Sequence, residues 1–354
     1  MKAFSFQISD FGFRISRLCG WLILTALCAA GCAHRPGACE RRAGDEIVAA
    51  GQFFHTGTKV VLWMDPGGYE AYRMDKRFGP LAQAGWNDST NHPVSPNRYD
   101  LRKSGLTDAE IERFRGGGWD LAALRRVVDQ FVIHYDAAGT SRNCFRVLQD
   151  ASGLSVHFLL DLDGTIYQTL DLKERAWHAT TSNSRSVGVE IANLGAYPTT
   201  APGPLKEWYQ KDAQGRTFIA VPARFGANLD YAPGFVARPV RRGPVVGTVQ
   251  GRVLEQYDLT RQQYAALTQL TAALCAVFPK IRCAVPRDAS GHPLDHKLPE
   301  DQLQNYHGIL GHFQLQVNKL DPGPAFQWDY VIDESRRLLG VRYPIPPRLI
   351  SDNK

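Results

Sequence analysis

The chain has 354 residues, 44% hydrophobic and 21% charged, an ordinary globular composition that admits a buried core in one large domain or two smaller ones. Its formal charge of +6 is modest and spread along the sequence, and the lack of a clustered Lys/Arg stripe argues against nucleic-acid binding. A mild positive balance suits a carboxylate-bearing polymer without naming one.

The chain opens on basic residues, followed by an apolar run from Leu18 to Ala30 and then Ala29-Ala30-Gly31-Cys32. The run is too short to span a bilayer comfortably and ends in small residues, as secretory signals do. Residues 1–31 hold Lys2, Arg14 and Arg17 against Asp10, a net +2, so their removal takes the chain from +6 to +4. Small residues followed by Cys resemble a bacterial lipobox. That resemblance implies an export signal over 1–31, lipidation of Cys32 and membrane attachment through the lipid. Ala33 in the next position resembles sorting to the outer membrane of a Gram-negative host, on its periplasmic face. An ordinary cleaved signal peptide fits the same features. Export also bears on the cysteines, because Cys39, Cys144, Cys275 and Cys283 permit two disulfides in an oxidising compartment. Cys275 and Cys283 lie close in sequence and are the favoured pair.

Residues 32–125 read as an extension packed on a main domain. Val60-Val61-Leu62-Trp63 is a strand stopped by Asp65-Pro66-Gly67-Gly68, a strong turn signal. Residues 87–97 are polar with Pro93 and Pro96, and read as loop. Thr107-x-x-Glu110 is a capping box that opens a short helix ended by Gly116-Gly117-Gly118.

The main domain is expected over 126–340, with a tail at 341–354. Phe131-Val132-Ile133-His134 is a strand with a polar residue at its end. Ser155–Leu162 and Thr165–Gln168 form a hairpin around Asp163-Gly164. In the strand Ser186–Ala192, Val187, Val189 and Ile191 share one face, and Gly188 and Glu190 the other. Thr260-x-x-Gln263 caps a helix with Tyr264, Leu267, Leu270 and Leu274 along one stripe. Strands interspersed with amphipathic helices predict an α/β fold, a central mixed sheet flanked by helices. The Pro-, Gly- and Arg-rich stretch at 196–256 is too long for a simple connection and reads as an insertion bordering the site, with a short strand at Thr217–Val221.

The chemistry centres on His134, His312 and Asp321. A catalytic zinc keeps three N or O ligands and one open position. His134 ends a strand, and the spacing of His312 and Asp321 fits a loop passing around a metal. Lys319 lies two residues before Asp321, so an extended backbone points both at one site. Alone, each histidine is more often structural; the set carries the reading. His55, His92, His292, His296 and His307 read as loop or surface residues, with His307 the reserve ligand.

Over roughly 126–330, apart from the insertion, the sequence resembles the type-2 N-acetylmuramoyl-L-alanine amidases, relatives of phage amidases and peptidoglycan-recognition proteins. The markers, in the family's order, begin with Val132-Ile133-His134-Tyr135, Ser155–Leu160, Asp163–Gln168 and Arg175-Ala176-Trp177-His178-Ala179. They continue with Ser186-Val187-Gly188-Val189-Glu190, Gly311-His312 and Lys319-x-Asp321-Pro322-Gly323-Pro324. The resemblance implies that His134, His312 and Asp321 bind zinc, that Glu190 handles the proton of the attacking water, and that Lys319 stabilises charge at the attacked carbonyl. Some relatives carry Cys at the Asp321 position and Tyr at the Val156 position; Val156 cannot do acid/base chemistry, so the resemblance implies the Glu/Lys branch. Trp177 and His178 resemble an element near the substrate cleft, and His157 is either close to that cleft, behind a ligand or simply a satisfied histidine. The implied activity is hydrolysis of the amide between N-acetylmuramic acid and L-alanine in peptidoglycan or muropeptides, by a monomer. The rival readings are a non-catalytic peptidoglycan-binding lipoprotein and a zinc hydrolase of another amide in the peptide stem.

Overall fold

The computed structural model describes residues 41–352 except 74, 79, 81, 83–97, 227, 228 and 230, so the run ending at Cys32, with Cys39 and His92, lies outside the described residues. Along the chain run β1 (Val60–Leu62), β2 (Gln130–Tyr135), β3 (Phe158–Leu160), β4 (Ile166–Gln168), β5 (Ser186–Ile191), β6 (Val245–Val249), β7 (Arg252–Gln256) and β8 (Gly308–Gly311). All but β6 and β7 join one six-stranded sheet in the order β8-β2-β5-β3-β4-β1. The sheet is mixed: β3 and β4 form the antiparallel hairpin expected around Asp163-Gly164, and every other neighbouring pair is parallel.

The helices are α1 (Asp108–Arg115), α2 (Leu121–Val127), α3 (Ser141–Arg146), α4 (Arg261–Val277), α5 (Glu300–Asn305) and α6 (Trp328–Leu338). Both predicted capping boxes are present, Thr107 with Glu110 on α1 and Thr260 with Gln263 on α4. The stripe Tyr264, Leu267, Leu270 and Leu274 packs in one cluster with Phe131, Ile133, Val187, Val189 and Ile191 from β2 and β5. One sheet face is therefore sealed by α4, and the opposite side chains of the same strands are left for other work. The fold is the expected α/β arrangement.

The leading segment supplies β1, with Val60 and Leu62 buried, and ends it where Asp65 Oδ2 accepts the Leu62 N–H at 2.8 Å. It also supplies two buried arginines that the sequence did not announce. Arg102, 0% exposed, donates to the carbonyls of Leu172 at 3.0 Å, Ser184 at 3.1 Å and Ser186 at 3.0 Å. The insertion builds a small core of its own from Leu205, Trp208, Tyr209 and Ile219 against Leu162 and Leu194, and β6–β7 is its terminal hairpin. The predicted strand there spans Thr217–Ile219. Cys144, Cys275 and Cys283 are free thiols, so the favoured Cys275–Cys283 pair is not bridged; Cys283 and burial push the Cys275 thiol up.

Asp161, just past β3, ties the insertion to the sheet: its Oδ1 accepts from the Leu162 N–H at 2.8 Å and the Tyr231 O–H at 2.9 Å. Burial pushes its carboxyl up to about 6. A raised carboxylate pKa means that the folded chain holds a proton the unfolded chain has released, so stability falls as pH rises from the unfolded value near 4 through about 6. Asp161→Asn keeps an acceptor for both donors and never ionises. Its melting temperature should match wild type near pH 4 and exceed it at pH 8, by a margin on the order of 1–3 kcal/mol in stability. Parallel melting curves at both pH values would refute this account.

Candidate active site

Strand register positions the site. His134 on β2 lies directly opposite Glu190 on β5, and both project from the face away from Ile133 and Val189. On the other side of β2, β8 ends with Gly311 opposite Ile133, and His312 follows at once in a short 3₁₀ turn. The carboxyl ends of three parallel strands thus deliver three functional side chains to one place, where open α/β sheets build their sites. Asp321 returns from the loop after β8, pinned by the Phe313 N–H donating to its carbonyl at 3.1 Å.

The convergence is tight. His134 Nδ1 lies 2.9 Å from His312 Nδ1 and 2.8 Å from Asp321 Oδ2, and His312 Nδ1 lies 3.0 Å from the same oxygen. All three residues are buried. Groups behind the rings orient them: His134 Nε2 is 3.0 Å from His178 Nδ1, and His312 Nε2 is 2.6 Å from Gln316 Oε1. Because Gln316 Oε1 only accepts, His312 carries its proton on Nε2 and turns a lone pair toward the centre. His134 presents Nδ1 in the same way when Nε2–H donates to His178. Two imidazole lone pairs and a carboxylate facing one another make a cation-binding donor set, with outer partners of the kind metal-bound histidines use. Burial, reinforced by His312, pushes His134 down to about 4, so the ring is neutral at pH 7.

Glu190 stands beside this set without joining it. Its Oε1 is 4.0 Å from His134 Nδ1, and its Oε2 is buried with no hydrogen-bond partner. Burial, then the charges of Asp321 and Asp136, push its proton affinity well up, while Lys319 opposes them. A buried carboxylate oxygen without a partner calls for an explanation, and proton transfer to a bound reactant is one. Lys319 is half-buried in the loop leading to Asp321.

The other named residues divide. His178 lies behind His134, its ring so close to β5 that a Cβ on Gly188 would meet it at 2.5 Å. The glycine in Ser186-Val187-Gly188-Val189-Glu190 therefore makes room for that ring. Trp177 is half-buried with an unpartnered indole N–H. His157 is a correction to the substrate-contact reading: it is 0% exposed, with Nδ1 accepting the Gly188 N–H at 3.2 Å, and has no surface to offer a substrate. His307 lies 3.0 Å from Asp129, outside the converging group of His134, His312 and Asp321. Sequence reasoning missed Gln316, although its i+4 spacing from His312 was a readable signal. A second group, Asp45, Glu46 and His55, already spends its carboxylates on the N–H groups of Ala43, Gly44 and Gly57 and on the His55 ring.

Comparison with known proteins adds the following. The family model Amidase_2, described as N-acetylmuramoyl-L-alanine amidase, matches residues 124–324. Among solved structures, a selenomethionine derivative of AmpD is 18% identical, with 72% of this chain and 96% of that one covered at a TM-score of 0.30. The amidase AmiD from E. coli, in complex with anhydro-N-acetylmuramic acid-L-Ala-D-gamma-Glu-L-Lys, is 18% identical over 58% of this chain and 57% of that one, TM-score 0.31. The endolysin amidase LysCS from Clostridium intestinale URNW is 15% identical over 62% and 88%, TM-score 0.31. No curated protein sequence matches the chain.

Proposed function

The chain belongs to the N-acetylmuramoyl-L-alanine amidase family, and from that premise we propose that it uses zinc to hydrolyse the amide between N-acetylmuramic acid and L-alanine in peptidoglycan or muropeptides. The observation that carries this reading is the meeting of His134 Nδ1, His312 Nδ1 and Asp321 Oδ2 beside Glu190, whose buried Oε2 has no hydrogen-bond partner among the described residues. His134, His312 and Asp321 would hold the zinc, which when bound would supply Lewis acidity at the carbonyl and lower the pKa of a water to about 7. Glu190 takes the proton of the attacking water as its oxygen adds to the carbonyl carbon, then hands that proton to the L-alanine nitrogen as the C–N bond breaks, leaving a muramic carboxylate and a free amine. Lys319 stabilises the negative charge that develops on the carbonyl oxygen. Trp177 is the substrate contact at the cleft, and His178 acts from behind His134.

Mass spectrometry of muropeptides after incubation with the purified chain tests this. Peptides with a free L-alanine amino terminus should accumulate, about one zinc should accompany each chain, and chelation should abolish release. Cleavage elsewhere in the stem, or sacculus binding without cleavage, overturns the reading.

The apolar run ending at Cys32 motivates a further part of this reading: export and lipid anchoring at the periplasmic face of the outer membrane. Cys32→Ser should lose acyl labelling and globomycin-sensitive processing. A Cys32→Ser protein that still carries lipid would show the anchor to be elsewhere.

A further inference from the structure

We propose that the insertion hairpin β6–β7 is a strap that fixes the two loops carrying His312 and Asp321 relative to each other, with Gln250 and Gln256 as positioning residues. The inference rests on the metal-site reading above and extends it to a part of the chain that supplies no ligand.

Between His312 and Asp321 the backbone has one short 3₁₀ turn and no other regular element. A metal site tolerates ligand displacements of only about 0.2 Å. An irregular loop does not hold such a spacing unless something outside it removes its conformational freedom.

The hairpin supplies that restraint at both ends. At its tip Gln250 sits in a tight turn with φ +52°, and its backbone N–H donates to Asp295 at 2.9 Å. Its side-chain amide donates to the carbonyls of Phe313 at 2.6 Å and Gln316 at 3.0 Å, and accepts the Lys297 N–H at 3.3 Å. Phe313 follows His312 directly, and Gln316 is the residue whose side chain orients the His312 ring. At the other end of the hairpin Gln256 is 1% exposed. Its amide donates to the Pro322 carbonyl at 3.0 Å and to Asn193 Oδ1 at 3.1 Å, and accepts the Ala325 N–H at 3.1 Å. Pro322 follows Asp321 directly. The approach is close enough that a Cβ on Gly323, which has φ +85°, would lie 2.1 Å from Gln256 Oε1. Midway, Gly247 packs against Pro324, where a Cβ would come within 2.8 Å.

One amide thus grips the backbone after the first ligand, and the other grips the backbone after the second. A five-pair antiparallel ladder fixes the distance between the two amides. Gln250 binds only backbone outside the six-stranded sheet, and Gln256 binds the ligand loop and Asn193, so truncating either leaves the ladder and the sheet intact. This separates positioning from general stability. The cost should fall on metal affinity more than on folding.

The test compares the full chain with Gln250→Ala, Gln256→Ala and the double variant. Val246→Thr, on the exposed side of the hairpin, and Val331→Ala, a buried α6 change that removes neither glutamine's hydrogen bonds, serve as controls. Three measurements are made: zinc affinity by competition with a fluorescent chelator, the absorption spectrum of the cobalt-substituted chain, and melting of the metal-free chain. Each glutamine variant should bind zinc about tenfold more weakly, at the lower end of what outer-shell changes do to metal sites. Its cobalt bands should shift; Gln250→Ala, at the half-buried tip, should keep a metal-free melting temperature close to wild type, whereas Gln256→Ala, which leaves the Pro322 carbonyl and the Ala325 N–H buried without that partner, should melt lower and is judged against Val331→Ala. Wild-type zinc affinity and an unchanged cobalt spectrum in both variants overturn the strap. So does a loss of affinity no greater than that of Val331→Ala at the same loss of melting temperature. If Gln256→Ala fails to fold, Gln250→Ala at the half-buried tip decides alone. A wild-type chain that takes up no zinc overturns the metal reading and the strap with it, whereas zinc-loaded wild type with unaltered variants overturns the strap only.

Discussion

Glu190→Gln is expected to slow amide cleavage by about a hundred- to ten-thousand-fold while the zinc content stays at its wild-type level. The reasons are geometric. Glu190 is opposite His134 in the sheet register, yet it is not part of the three-residue group whose ligand atoms converge. Its side chain leaves β5 on the face away from Val187, Val189 and Ile191, so an isosteric amide leaves the packing against α4 untouched. What disappears is a buried carboxyl whose proton affinity is held high by burial and by Asp321. The isosteric amide fills the same space, so the melting temperature should stay close to wild type. The measurement is release of peptides with a free L-alanine amino terminus, alongside zinc analysis. Wild-type turnover with zinc in place would remove Glu190 from the mechanism and leave the proton acceptor to be sought elsewhere in the cleft.

His134→Ala should behave differently, losing metal and activity together. It removes one of the three converging ligand atoms and also takes the partner from His178 Nδ1. Zinc affinity should fall by more than the roughly hundredfold that outer-shell substitutions reach. Adding excess zinc should therefore restore little activity, whereas it should do nothing at all for Glu190→Gln. A zinc-replete, active His134→Ala chain would mean that the metal is held by other residues.

Much of this was legible in the sequence because it is local. Alternation along Ser186–Ile191 places Glu190 on the opposite face from the valines, and two capping boxes fix helix starts that the structure reproduces. That His134 meets His312 and Asp321 was legible mainly from the order of the family's motifs, since His134 and His312 are neighbours only through the pairing of β2 with β8. Strand pairing across so many residues leaves no periodic trace. The same limit explains His157: alternation gave its face, but only the structure shows Arg102 of the leading segment at 3.0 Å beside its ring. The two insertion glutamines were invisible for a related reason. Their partners are backbone atoms of a distant loop, and backbone partners impose no pattern on either sequence.

The strand from the leading segment has a consequence for association. β1 pairs with β4 at the rim of the main sheet, in register from Val60 with Ile166 to Leu62 with Gln168. Next to it, Gln168 exchanges hydrogen bonds at 2.8 Å with both the N–H and the carbonyl of Val48. The family match begins at residue 124, downstream of both contacts. A chain cut back to the matched residues would present the open side of β4 to solvent as a template for strand addition by a second molecule. The leading segment therefore acts as a built-in cap on a sticky border, and keeping it should favour a chain that stays separate from its own copies.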